Sequence, residues 1–217
     1  SLALAALVMQ QTQSLLVIIT ARPFADPVPT EVEQIRTAVG SQYLRLDSLA
    51  LDDALEIARQ RLGVKSLPQS VKDLLESRAG GQPFFIQELA YALRDAGLIQ
   101  IALGECRVSE GLGDSAEGLE RAFGALNIPN TIQGVITSRV DRLPSPQQLT
   151  LKVASVIGKS FALFVLQNIY PVAGERPDIP SHLEHLEKVD LTRRVPASDP
   201  TEEFKHALIQ AVSYTHL

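Results

Sequence analysis

The sequence predicts a mainly α protein with minor β, on three observations. From Leu51 onward apolar residues recur at helical spacing, with Pro before and Gly after many of the runs. A single stretch, residues 15–19 of "SLLVIITARPF", is a continuous aliphatic run, the pattern of a strand covered on both faces. Near the C-terminus, "LTRRVPASDPTEEFKHA" alternates and turns like two short antiparallel strands.

The elements follow in order. Residues 2–13 alternate as an amphipathic helix, with Leu4, Leu7 and Val8 on one side. No basic segment precedes this apolar patch, so it reads as a helix entered midway and not as a secretion leader. The buried strand 15–20 comes next, and Pro23, Pro27 and Pro29 make its exit a loop. Thr30 and Glu33 form a capping-box pair for a helix to Val39, which Gly40 closes. "QYLRLDSL" (42–49) alternates as a short edge strand.

Leu51, Leu55, Ala58 and Leu62 then mark a helix that Gly63 stops. Pro68, between Ser66 and Gln69, opens the next, to Arg78, and Pro83 opens a third that Gly97 terminates. "LIQIALGECRV" (98–108) reads as a hairpin around Gly104. Residues 109–128, rich in Gly, Ser and Glu, read as a linker, with a turn of helix in "LERAFGAL". Asn130 caps a helix over 131–142, and Ser145 and Gln148 form a capping box for 146–157. Helices at 161–169 and 180–190, the paired strands and a helix from Lys205 complete the chain. Short helices followed by a two-stranded wing are a winged-helix signature. The boundaries expected are therefore 1–50, 51–108, 109–128 and 129–217.

Composition narrows the class. The 217 residues are 45% hydrophobic and 21% charged, ordinary for a globular protein. The net charge of −5 gives no support to a nucleic-acid-binding surface. One cysteine, Cys106, excludes an internal disulfide and fits a reducing, cytoplasmic setting. No apolar run approaches the roughly 20 residues of a membrane span. The terminal "AVSYTHL" stops inside a helical pattern, and both ends read as cut.

"VIGKS" (156–160) resembles the tail of a phosphate-binding loop, but the required upstream glycine is Val153, inside a helical run with no strand before it. Gly158 there reads as a helix end. His182 and His185 lie three apart on a charged helix, where a solvated face is the simpler reading than a metal site. Arg139, Asp141 and Arg142 in "RVDRLP" suggest an ion pair at a helix end.

Five stretches in order carry a family resemblance: "LLVIITARPF", "SLALDDALEIARQRLG", "SRAGGQPFFIQELAYALRDAGLI", "IPNTIQGVITSRVDRLPSPQQLTLKVASVIGKSF" and "EEFKHALIQAVSY". Together they resemble the second half of an AAA+/STAND-type ATPase module. Such modules occur in multidomain signalling proteins, beside adenylate or guanylate cyclase, protein kinase or LuxR-type DNA-binding domains. The resemblance implies that residues 1–50 end a P-loop α/β core, 51–108 form a helical lid and 129–217 a winged-helix domain. Strand 15–20 would be the sensor-1 strand, and the Walker A and Walker B strands would lie before Ser1.

The resemblance also implies the site residues. Arg22 would face the γ-phosphate of ATP, although by itself it reads more simply as a surface arginine ending a strand. Gly81 and Pro83 match the family's Gly-x-Pro, with Pro83 against the adenine, although Pro at the first helical position explains itself. His206 would reach the β-phosphate of ADP and hold a closed state. Its other reading is a helix-start histidine bonded to backbone, and Ala207 stands where the family often has Asp. The implied cofactor is ATP or ADP with magnesium in the intact parent, with none expected for this chain alone. The implied partners are the missing P-loop half and an effector domain, most often a nucleotide cyclase, in the same polypeptide.

Two other classes compete. One is a winged-helix DNA-binding regulator, with Arg193 and Arg194 on phosphates, but helix 146–157 carries only Lys152 and acidic residues surround the wing. The other is a helical protein-interaction scaffold without nucleotide.

Overall fold

The computed structural model describes residues 2–12, 14–111, 115–126, 131–196 and 199–215. It is mainly helical, with its few strands in two small sheets. The chain divides into two compact units, Ser1–Asp47 and Ser48–Leu217.

The first unit holds α1 (Leu2–Gln11) and α2 (Thr30–Thr37). The strand expected at 15–20 is not formed, and Leu16 and Ile18 are 83% and 79% exposed. The edge strand expected at 42–49 is absent too, with Tyr43, Leu44 and Leu46 exposed. The reason is that a strand exists through its ladder. An aliphatic run with no pairing neighbour among the described residues of its unit leaves its N–H and C=O groups unpaired and its side chains uncovered. The Thr30–Glu33 capping box is also not made. Thr30 is already helical, and Pro29 takes the cap position, its carbonyl accepting from Val32 and Glu33. Glu31 and Glu33 in the first turn and Arg36 in the last suit the helix dipole.

The second unit starts with α3 (Leu51–Leu62), α4 (Gln69–Ala79) and α5 (Pro83–Asp95), then a hairpin of β1 (Ile99–Ala102) and β2 (Glu105–Val108). Gly63 ends α3 in the left-handed region, φ 67°, where its missing Cβ removes the steric cost. The expected linker contains α6 (Ala116–Ala125), capped by the Ser115 hydroxyl, which accepts from Gly118 N–H. Leu119 and Phe123 are buried in the first core with Ala58, Leu75, Ile86 and Leu89. Each such side chain contributes about 1.5–3 kcal/mol, which holds a helix too short to be stable alone. The linker residues 112–114 and 127–128 lie outside the described residues.

The remaining elements are α7 (Ile132–Asp141), α8 (Ser145–Ile157), β3 (Ser160–Ala162), α9 (Leu163–Ile169), a 3₁₀ turn (Ala173–Asp178), α10 (Ile179–Lys188), β4 (Thr192–Val195), β5 (Thr201–Phe204) and α11 (Ala207–Thr215). The expected cap Asn130 lies outside the described residues, and Thr131 caps α7, accepting from Gly134 N–H at 3.1 Å. Ser145 does not cap α8. Pro144 holds that position with no side-chain bond. Strand β3, three residues long, joins β5 antiparallel in the sheet order β3-β5-β4. A second core gathers Ile136, Leu151, Phe161, Leu166, Tyr170 and Phe204, among others.

Candidate functional site

The site begins at the turn before α5. Gly81 has φ 74°, and a Cβ built on it would lie 2.5 Å from the Leu49 carbonyl oxygen. The Leu49 N–H donates to Gly81 O at 2.9 Å. Gly81 therefore docks the start of α5 onto the segment leading into α3, and any side chain there meets backbone. Pro83 occupies the first position of α5 and is exposed. This places Phe84, half-buried, against the second core and onto His206. The two rings stack with centroids 3.8 Å apart and planes 22° from parallel.

His206 stands at the start of α11. Its Nδ1 accepts from the Leu208 N–H at 3.1 Å. In the neutral ring the proton must then sit on Nε2, which remains a donor. Burial, with the charge of Lys159 second, holds its pKa below the ordinary value, so the ring is neutral at physiological pH.

Phe84 and His206 form part of a cleft of about 340 Å³. Arg61 reaches it from the last turn of α3, Gln87 from α5, Glu187 from α10, Arg193 from β4 and Lys205 from the junction before α11. Two of the cations are committed: Arg193 pairs with Glu203 and Lys205 with Asp190. Burial and the nearby Arg61 charge push the Lys205 pKa down.

Nearby, Arg139 of α7 is 2% exposed and ties three elements together. It donates to Glu88 of α5, to Asp95 at 3.1 Å and to the Val189 carbonyl after α10. Its guanidinium also lies 4.8 Å over the Tyr91 ring. Burial raises the Glu88 pKa, and Arg139 opposes that shift. One Glu88 oxygen, Oε1, has no hydrogen-bond partner. This cluster makes α5 the shared wall of both cores. An ion pair for Arg139 at a helix end is what the sequence predicts, and its pairs with Glu88 and Asp95 are in the packed interior. The signal for its burial was its position on the same face as Val135 and Ile136. Its neighbours Asp141 and Arg142 are exposed.

The other sequence candidates lie as follows. Arg22 is exposed, in a segment without regular structure, with no hydrogen bond or ion pair to any described residue. It belongs to the first unit, whereas Gly81, Pro83 and His206 belong to the second. "VIGKS" is the end of α8 followed by β3, with Gly158 N–H bonded to Ala154 O. His182 is not on a solvated face: its Nδ1 bonds the buried Thr150 hydroxyl at 3.0 Å, while His185 is exposed. Among the described residues no group of three or more His, Cys, Asp or Glu is placed to hold a metal.

A family model described as "Domain of unknown function (DUF8739)" matches residues 51–107, from α3 into β2. No curated protein and no solved structure matches the chain.

Proposed function

We propose that the chain is part of a nucleotide-dependent regulatory switch, in which ADP or ATP bridges the lid-like group 51–108 and the winged-helix-like group 129–217. Its phosphate-binding loop and an effector, a nucleotide cyclase being the first choice, lie elsewhere in a multidomain signalling protein. The observation that carries this reading is the meeting of Phe84 and His206. The helix opened by Gly81-Gln82-Pro83 sets its first aromatic residue on the one histidine that the resemblance singles out. The backbone bond to Nδ1 and a phosphate role for His206 are compatible, because the first leaves Nε2–H to donate. The helices of the C-terminal group and the β3-β5-β4 sheet also suit a winged helix with β4 and β5 as the wing.

The DNA-binding alternative has less support. Arg193 and Arg194 lie directly opposite Glu203 and Glu202 on the neighbouring strand and pair with them. A DNA phosphate would have to displace carboxylates already in place.

A switch needs a ligand that contacts its two states differently. The test is His206→Ala in the full-length protein. Faster ADP release and raised effector output without signal are expected. Unchanged release and unchanged output would overturn the reading.

A further inference from the structure

The cleft beside the Phe84–His206 stack has an uneven charge arrangement. Arg193 is neutralised by Glu203, and Lys205 by Asp190. Glu187 accepts the Arg194 N–H at 3.3 Å. Arg61 has neither a hydrogen bond nor an ion pair to any described residue. Its charge bears instead on another cation, Lys205, and Lys159 bears likewise on His206. Three cations, Arg61, Arg193 and Lys205, thus line a cleft with one lining carboxylate, Glu187, and two of the three are already paired, with Glu203 and Asp190. An anionic guest would give Arg61 the partner it has in no described residue, and two donors line the cleft for it: the planar Arg61 fork and the His206 ring, whose Nε2–H the bond to Nδ1 leaves to donate.

We infer that Arg61 is a phosphate-binding residue of this cleft, gripping a diphosphate group between its guanidinium and the His206 ring that Phe84 backs. The inference rests on the nucleotide reading for the source of that group. Its chemistry is shared by free pyrophosphate and by the tail of ADP. Arg61 is the better-suited cation because its charge is uncommitted, whereas Lys205 and Arg193 would first have to leave a carboxylate.

The experiment is a titration of the full 217-residue chain with inorganic pyrophosphate, followed by the His206 ring and Arg61 Nε–H resonances. Saturable shifts are expected. Arg61→Gln should weaken binding about ten- to a hundredfold, as for loss of a charge-assisted contact. It should also lower the salt dependence, and Arg61→Lys should restore binding only in part because the bidentate geometry is lost. Arg107→Gln, on the exposed side of β2, is the control and should change nothing. Arg61 is exposed, so the remaining amide spectrum of Arg61→Gln should match wild type. Equal pyrophosphate affinity in wild type and Arg61→Gln would overturn the inference. So would the absence of saturable shifts up to about 10 mM, well above a millimolar dissociation constant. Competition by ADP separates the two proposals. Pyrophosphate binding that depends on Arg61 but is not displaced by ADP would keep the anion site and remove the nucleotide as its source.

Discussion

The Phe84 and His206 rings stack at 3.8 Å, joining the first turn of one helix to the residue that precedes another, 122 positions later in the chain. Such an aromatic pair is worth about 0.5–1.5 kcal/mol beyond its buried area. A double-mutant cycle with Phe84→Leu and His206→Gln, read by urea unfolding, should return a coupling in that range. A coupling near zero would mean the rings merely adjoin.

The same histidine sets a pH dependence. Its folded pKa lies below the unfolded value of about 6.5. The unfolded chain therefore binds more protons between the two values, and stability must rise with pH across that window. The contribution is complete above the unfolded pKa and is lost as pH falls through the folded one. Urea midpoints measured from about pH 7.5 down to about pH 5 should fall less steeply in His206→Gln than in wild type.

Arg139 is the residue whose loss should damage the fold most. Arg139→Met leaves Glu88 buried without its cation, a change worth about 3–5 kcal/mol. Adding Glu88→Gln should recover part of that loss, because a neutral amide costs less to bury. Glu88 has a raised folded pKa, so its contribution is present in acid and lost as pH rises through the folded value. Arg139→Met should therefore be closest to wild type at low pH, as judged by unfolding midpoints across pH.

Two adjacent glycines separate backbone strain from collision. Gly80 and Gly81 both have positive φ, 54° and 74°, but only Gly81 faces a backbone oxygen within 4 Å. Gly80→Ala should cost about 1–2 kcal/mol, the left-handed penalty alone. Gly81→Ala should cost clearly more, because Leu49 O is held by the chain and cannot swing away. Thermal denaturation of the two single variants decides this.

Arg22 is tested in the full-length protein. Arg22→Ala should weaken ATP about ten- to a hundredfold, the loss of one charge-assisted contact. ADP should change little, since the implied contact is to the γ-phosphate. Equal losses for both nucleotides would remove Arg22 from that role.

The elements from α3 to β2 were legible because their information is local. Pro68, Pro83 and Gly63 punctuate the chain by fixed φ, a missing N–H or a missing Cβ, and apolar spacing does the rest. Strand 15–20 shows the limit of that logic: its aliphatic run records a preference for burial, but a ladder needs a partner that local pattern cannot supply. Strand β3 was missed for the converse reason, since three residues carry no period and pairing with β5 alone makes them a strand. At the site, sequence singled out Gly81, Pro83 and His206 one by one. Only tertiary packing put Phe84 on His206, left Arg61 in the cleft with no ion pair among the described residues and sank Arg139 between Glu88 and Asp95. Those relationships join residues tens of positions apart, and they are decided by which helix faces meet, a property of the whole packed unit and of no single stretch of sequence.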